Sequence, residues 1–184
     1  KPVALVDLPV GEGPWDAVLH PDGRTIAVAC TDRTVRLLDL ASGIETRRLE
    51  GHEAYPVALA FSGDGRRLAS GSWDRTVRVW DPADGRCLTV LRGHEGLVNA
   101  VAIDVRGRLV ASGDTERTAV IWDVDRGEAV LRLAAHGNPV VGVALDPLGR
   151  YVATASSDRS VRLFDLADGR ERVRLALPGT YAQC

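Results

Sequence analysis

Thr31-Asp32-Arg33-Thr34-Val35-Arg36 returns as Trp73-Asp74-Arg75-Thr76-Val77-Arg78, and again as Ser157-Asp158-Arg159-Ser160-Val161-Arg162. A looser copy, Thr115-Glu116-Arg117-Thr118-Ala119-Val120, stands between the last two. The spacing is 42 residues at each step, and other columns keep it: Asp39, Asp81, Asp123 and Asp165, and also His52, His94 and His136. No insertion or deletion breaks the register across the four copies. A fixed period of this length marks a repeat architecture rather than one irregular domain.

Within the second copy, short runs at 57–61, 66–71, 76–80 and 87–91 are separated by Asp-Arg, Ala-Asp-Gly and Gly-His-Glu. Those separators are polar turn chemistry, and the runs tend to alternate apolar residues, so each copy reads as four short strands. No stretch holds a helical period, and the chain is expected to be all-β. A four-stranded unit cannot bury both faces alone, so neighbouring units must stack. Radial stacking gives a β-propeller, with Leu59, Phe61, Val77, Val79, Leu88 and Val90 as expected core. A β-solenoid is the rival, but its rungs are shorter than this period.

Composition excludes several classes. The chain has 184 residues, 45% hydrophobic and 26% charged, with a formal net charge of −2. That balance gives no electrostatic case for nucleic acid or an anionic membrane. The sole lysine is Lys1, so no Gly-rich turn can carry a phosphate-binding lysine. The longest apolar run, Val140 to Leu145, is far short of the ~20 residues that span a bilayer. Residues Lys1 to Val10 lack a signal-peptide pattern. Cys30, Cys87 and Cys184 form no C-x-x-C and have no close His partner, which argues against a disulfide framework or a zinc site. A reducing, cytoplasmic compartment is the expectation, with no metal and no cofactor. The absence of methionine suggests a piece of a longer protein.

The Gly51-His52 and Gly93-His94 dipeptides, with the Trp80-Asp81 and Trp122-Asp123 endings, resemble the WD-repeat β-propeller family over nearly the whole chain. The resemblance implies a hydrogen-bonded tetrad in each blade, here His52, Ser70, Asp74 and Trp80. An indole N–H needs an acceptor, a hydroxyl both accepts and donates, and a neutral imidazole does the same. By position the third copy supplies His94, Ser112, Glu116 and Trp122. The fourth supplies His136, Thr154 and Asp158 with Phe164, and the first only Asp32 among Val10, Val28 and Leu38. The second blade is therefore expected to be the most rigid. Blades are placed at approximately 10–50, 51–92, 93–134 and 135–176, with an extra outer strand at 3–8. Tyr181 to Cys184 would begin a further inner strand. Family rings commonly hold about seven or eight blades. The chain thus reads as a fragment with further blades in the same parent, or as half of an eight-bladed ring completed by a second copy.

Catalytic constellations are scarce: there is no H-E-x-x-H and no G-x-S-x-G. The three repeated histidines fall one per blade, too far apart to converge on one substrate, so the chain is not expected to be an enzyme. His20, beside Pro21-Asp22-Gly23, reads as a solvated turn residue. Arg33, Arg75, Arg117 and Arg159 recur in the turns, where an arc of them could attract an anion, but each follows an acidic residue that offsets its charge, and they read as polar turn residues. Trp15, Tyr55 and Trp73 are aromatics that the repeat does not demand. Their columns hold Asn99, Leu97 and Thr115 in the third copy. By resemblance these columns lie at the loop ends around the channel, where the family commonly binds partners, and aromatics there are frequent hot spots. Trp15, Tyr55, Trp73, Leu97, Asn99 and Thr115 are therefore the candidate partner-binding residues. The expected function is a non-catalytic scaffold for a protein or peptide. The alternative is a sensor or regulatory domain of a larger signalling protein, fused to a kinase or NTPase.

Overall fold

A computed structural model describes residues 13–134, 136–176 and 178. The first sheet, blade 1, is β1 (Pro14–Leu19), β2 (Thr25–Cys30), β3 (Val35–Asp39) and β4 (Glu45–Leu49). Blade 2 is β5 (Pro56–Phe61), β6 (Leu68–Ser72), β7 (Thr76–Trp80) and β8 (Cys87–Arg92). Blade 3 is β9 (Val98–Ile103), β10 (Leu109–Asp114), β11 (Ala119–Asp123) and β12 (Glu128–Leu133). Blade 4 is β13 (Val140–Leu145), β14 (Tyr151–Ser156), β15 (Ser160–Asp165) and β16 (Glu171–Ala176). Every sheet is an antiparallel meander in chain order. These are four blades of a propeller. The expected outer strand at 3–8, Val10 and the tail at 181–184 lie outside the described residues.

The turns explain the repeated polar columns. Asp81 accepts the Ala83 N–H at 2.9 Å on its carboxylate while its backbone closes the β7–β8 hairpin with Arg86 and Gly85. Asp39, Asp123 and Asp165 likewise accept from Ser42, Arg126 and Ala167. Such side chains mimic a backbone turn, which is why Asp recurs there. At the β6–β7 turn Arg75 N–H donates to the Ser72 carbonyl at 3.1 Å. Arg75 has φ +67°, and Arg33, Arg117 and Arg159 share that left-handed conformation.

The core lies between blades, not within them. Leu68 and Trp80 pack on Ala27, Val35, Leu37 and Leu49 of blade 1. On the other side of blade 2, Ala69, Val77, Val79 and Leu91 receive Val110 and Trp122 of blade 3. Ala111, Ala119, Ile121 and Leu133 of blade 3 receive Val152 and Phe164. The same columns continue in blade 4, but Leu175 is 55% exposed where Leu49, Leu91 and Leu133 are 1%, 0% and 6% exposed. The apolar face is built the same way in each copy, and its burial depends on the next sheet.

Two expected core residues sit elsewhere. Leu88 is exposed and Val90 only half-buried, whereas Leu91 is fully buried. Directly paired strand residues share a face. Val77 pairs with Leu91 and Val79 with Thr89, which leaves Val90 opposite Arg78 on the other side. A register shift next to Trp80 then skips Leu88. Phe61 is half-buried and packs against the blade 1–blade 2 core.

The face opposite Val77 carries one irregularity. Arg36 lies 3.4 Å from Glu45 and Arg162 3.1 Å from Glu171, while blade 3 has Val120 and Ala129 at those positions. Blade 2 keeps the arginine, Arg78, but has Cys87 in place of the glutamate, at 3.9 Å. The Arg78 Nε is buried with no hydrogen-bond partner. In urea denaturation, Leu91→Ala is expected to lower stability by about 2–4 kcal/mol. Leu88→Ala is expected to change it by less than about 1 kcal/mol.

Candidate functional site

Trp80 Nε1–H donates to Ser70 Oγ at 2.8 Å, and Ser70 Oγ lies 2.8 Å from His52 Nε2. His52 Nδ1 is 2.7 Å from the Asp74 carboxylate. Only one proton arrangement satisfies every member. Ser70 accepts from the indole, so its own proton goes to Nε2, and Nδ1–H donates to Asp74. The imidazole is therefore neutral, with both nitrogens engaged. Asp74 also accepts from the Thr76 hydroxyl at 2.6 Å and from the Glu53 N–H at 3.0 Å, tying the β6–β7 turn to the preceding loop.

Blade 3 has the same chain with a different carboxylate. Trp122 donates to Ser112 at 2.7 Å, Ser112 lies 2.6 Å from His94, and His94 Nδ1 lies 2.6 Å from Asp114. Glu116, expected here from its column, is exposed and takes no part. Asp114, at the end of β10, takes the carboxylate's place, and its other oxygen accepts the Thr118 N–H at 2.9 Å. Its column otherwise holds Cys30, Ser72 and Ser156. That serine-to-aspartate change, alongside aspartate-to-glutamate two residues on, was the available signal. Blade 4 keeps Thr154, His136 and Asp158 at 2.7 and 3.0 Å, with Phe164 in place of the donor. In blade 1 Val28 and Leu38 pack with Cys30, and Asp32 pairs with Arg36. Two blades, 2 and 3, thus carry the full network, where the sequence suggested only one.

Burial alone would raise the Asp74 carboxyl, but hydrogen bonds from His52 and Thr76 outweigh it and hold the group well below the usual range. Burial likewise opposes, and donors again overcome it, at Asp114 and Asp158. At His136 burial dominates and pushes the imidazole down, although Asp158 pulls the other way. Among the described residues no three His, Cys, Asp or Glu side chains are placed to hold a metal.

The aromatics that break the repeat come together. Trp15 and Trp73 have ring centroids 4.9 Å apart, Tyr55 and Trp73 5.7 Å, and Trp15 and Tyr55 6.2 Å. Each is brought there by a distinct local device. Trp15 is the extra residue of a bulge in β1, where the pairing jumps from Pro14 to Asp16, and bulges re-aim side chains. Tyr55 ends the loop before β5 and Trp73 opens the β6–β7 turn, with Trp73 N–H donating to the Tyr55 carbonyl at 3.0 Å. Asp16, beside Trp15, accepts the Leu59 N–H of blade 2 at 2.7 Å and fixes the two blades together. Trp15 is 47% and Tyr55 39% exposed, so the cluster is a platform and not a core.

A family model described as "WD domain, G-beta repeat" matches residues 11–39, 43–81, 85–123 and 127–165. The chain belongs to the WD-repeat family. No curated protein matches it. WD-repeat proteins typically act as non-catalytic scaffolds that bind other proteins.

Elsewhere on this WD-repeat chain, Leu97, Asn99 and Thr115 occupy the blade 3 positions equivalent to the aromatics. All three are half-buried. Thr115 Oγ1 accepts the Leu97 N–H at 3.0 Å, and Thr115 N–H returns to the Leu97 carbonyl. Leu97 and Thr115 thus close a loop, as Tyr55 and Trp73 do through the same backbone bond. His20 is not the solvated turn residue expected. Its Nε2 lies 2.9 Å from the Gly65 carbonyl of blade 2 and its ring meets Phe61 edge-on at 4.8 Å. Gly65 has φ +71°, and a Cβ there would come within 2.5 Å of the imidazole, so only glycine admits the contact. Within its own turn His20 Nδ1 accepts the Asp22 N–H at 3.1 Å, which leaves Nε2–H to donate to Gly65, while Asp22 caps the hairpin by accepting the Arg24 N–H at 2.7 Å. The four turn arginines are exposed.

Asp114→Asn is expected to destabilise the chain by about 2–4 kcal/mol, because a buried, paired carboxylate is lost, while Glu116→Gln changes it by less than about 0.5 kcal/mol. Equilibrium unfolding of both variants checks this. For pH, a depressed His136 favours the neutral form in the fold, so stability is lost as pH falls below about 6.5. Depressed Asp74, Asp114 and Asp158 remove a further share as pH falls below about 4 toward their folded values. Urea midpoints measured across that range should decline in two stages, and His136→Gln should abolish the upper one.

Proposed function

We propose that this chain is a non-catalytic protein-interaction module that presents the loop end of blades 1 and 2 to a protein or peptide. The supporting observation is the Trp15–Tyr55–Trp73 platform. A regular repeat needs none of these rings: the corresponding residues of blade 4 are Val141, Pro139 and Ser157. Exposed aromatic surface on a rigid scaffold is the composition of binding hot spots, because large rings contribute contact area with few rotors to order. Catalysis has less support. His52, His94 and His136 are each buried, with both ring nitrogens engaged in the blade framework. The free thiols of Cys30 and Cys87 suit a reducing, cytoplasmic setting.

The double variant Tyr55→Ala/Trp73→Ala is expected to weaken partner binding by at least about tenfold, since hot-spot truncations exceed about 1–2 kcal/mol. Isothermal titration with a captured partner provides the measurement. Unchanged affinity with an intact fold would sink the reading.

A further inference from the structure

We infer that the platform takes an arginine-bearing basic segment, whose guanidinium stacks on the outward ring faces. This rests on the interaction reading above and adds the chemistry of the partner.

The first argument is charge. The segments that surround the platform (13–16, 31–34, 50–55 and 73–75) carry Asp16, Asp32, Glu50, Glu53 and Asp74 against Arg33 and Arg75. Asp32 is matched by Arg36. Asp74 faces a neutral imidazole, so its charge is not cancelled. Four carboxylates, Asp16, Glu50, Glu53 and Asp74, then stand against two guanidinium groups. The platform therefore sits in a net negative field, which attracts a cation and repels an anionic partner. Glu50 and Glu53 are exposed, and Glu50 also acts on the nearby Arg48.

The second argument is ring geometry. Trp15 and Tyr55 are nearly parallel, 29° apart, and Trp73 is tilted by 57° and 64° to them. At separations of 4.9–6.2 Å the rings touch one another, which leaves no space for a cation among them. They form no enclosing cage of the kind that holds a quaternary ammonium. What they offer is open π-faces, and a planar guanidinium stacks on an open face while its edge still reaches carboxylates or water. The two indole N–H groups and the Tyr55 hydroxyl make no hydrogen bond among the described residues. These groups can donate to the carbonyls of an extended peptide.

The test selects a random-peptide phage library on the full 184-residue chain, with a Trp15→Ala/Tyr55→Ala chain as counter-selection. Both residues are exposed, so the variant should keep its far-UV spectrum and melting temperature. Tyr55→Phe, which keeps the ring but removes the hydroxyl donor, serves as a second comparison and should lose less affinity than Tyr55→Ala. Peptides dependent on the platform should be enriched in arginine over lysine and depleted in acidic residues. A synthetic enriched peptide, followed by tryptophan fluorescence, should lose about threefold in affinity on Arg→Lys and about tenfold on replacing arginine with neutral citrulline. Glu53→Gln should weaken it by about threefold, and added salt should weaken it further. Platform-dependent peptides without arginine would overturn this inference and leave the interaction reading standing. No platform-dependent peptide at all would overturn both.

Discussion

A buried indole N–H must find an acceptor, and the fold is arranged around that requirement at Trp80 and Trp122. Each sits at the end of the third strand of its blade, where it packs against the preceding blade. Each hands its proton to a hydroxyl on the second strand, which passes its own to a histidine in the loop before the first. The carboxylate beyond then gathers backbone N–H groups from the turn. One chain of hydrogen bonds thus links strand, strand, loop and turn, and it is neutral where it is most deeply buried. Only its outer end carries charge. Such a network stabilises only while every member is satisfied; blade 4 keeps the hydroxyl, histidine and carboxylate with Phe164 in place of the indole, and blade 1 replaces the network with apolar packing around Val28 and Leu38.

The repeat was legible because its determinants are local. Turn chemistry at Asp39, Asp81, Asp123 and Asp165, and the apolar columns of the second and third strands, follow directly from the period. What escaped the sequence depends on geometry that spacing does not encode. A strand register that skips Leu88 turns Val90 away from the core and brings Leu91 in, and apolar character alone cannot distinguish those phases. Asp114 and Glu116 differ by two residues in a tight turn, and alignment by column favours the wrong one. The role of His20 depends on Gly65, which is distant in sequence and adjacent only once two blades are stacked.

The candidate site was legible in a different manner, as departures from the pattern. Trp15, Tyr55 and Trp73 were visible as residues that the repeat leaves unexplained, but nothing in the sequence brings three separate columns into mutual contact. The β1 bulge and the Trp73–Tyr55 backbone pairing do that. In blade 3, Leu97 and Thr115 make the same backbone pairing as Tyr55 and Trp73 but bring no rings to it.

The contacts confined to the first joint, His20 with Gly65 and Asp16 with Leu59, carry an implication for how the chain assembles. Four sheets cut to one pattern offer nearly interchangeable faces, so a folding intermediate can seat a blade against a non-adjacent neighbour and become trapped. A contact that only one pair of blades can make acts as an address, favouring the correct neighbour over its look-alikes. Single idiosyncratic residues in an otherwise uniform array would then direct the order of assembly, independently of how much they add to the stability of the finished protein.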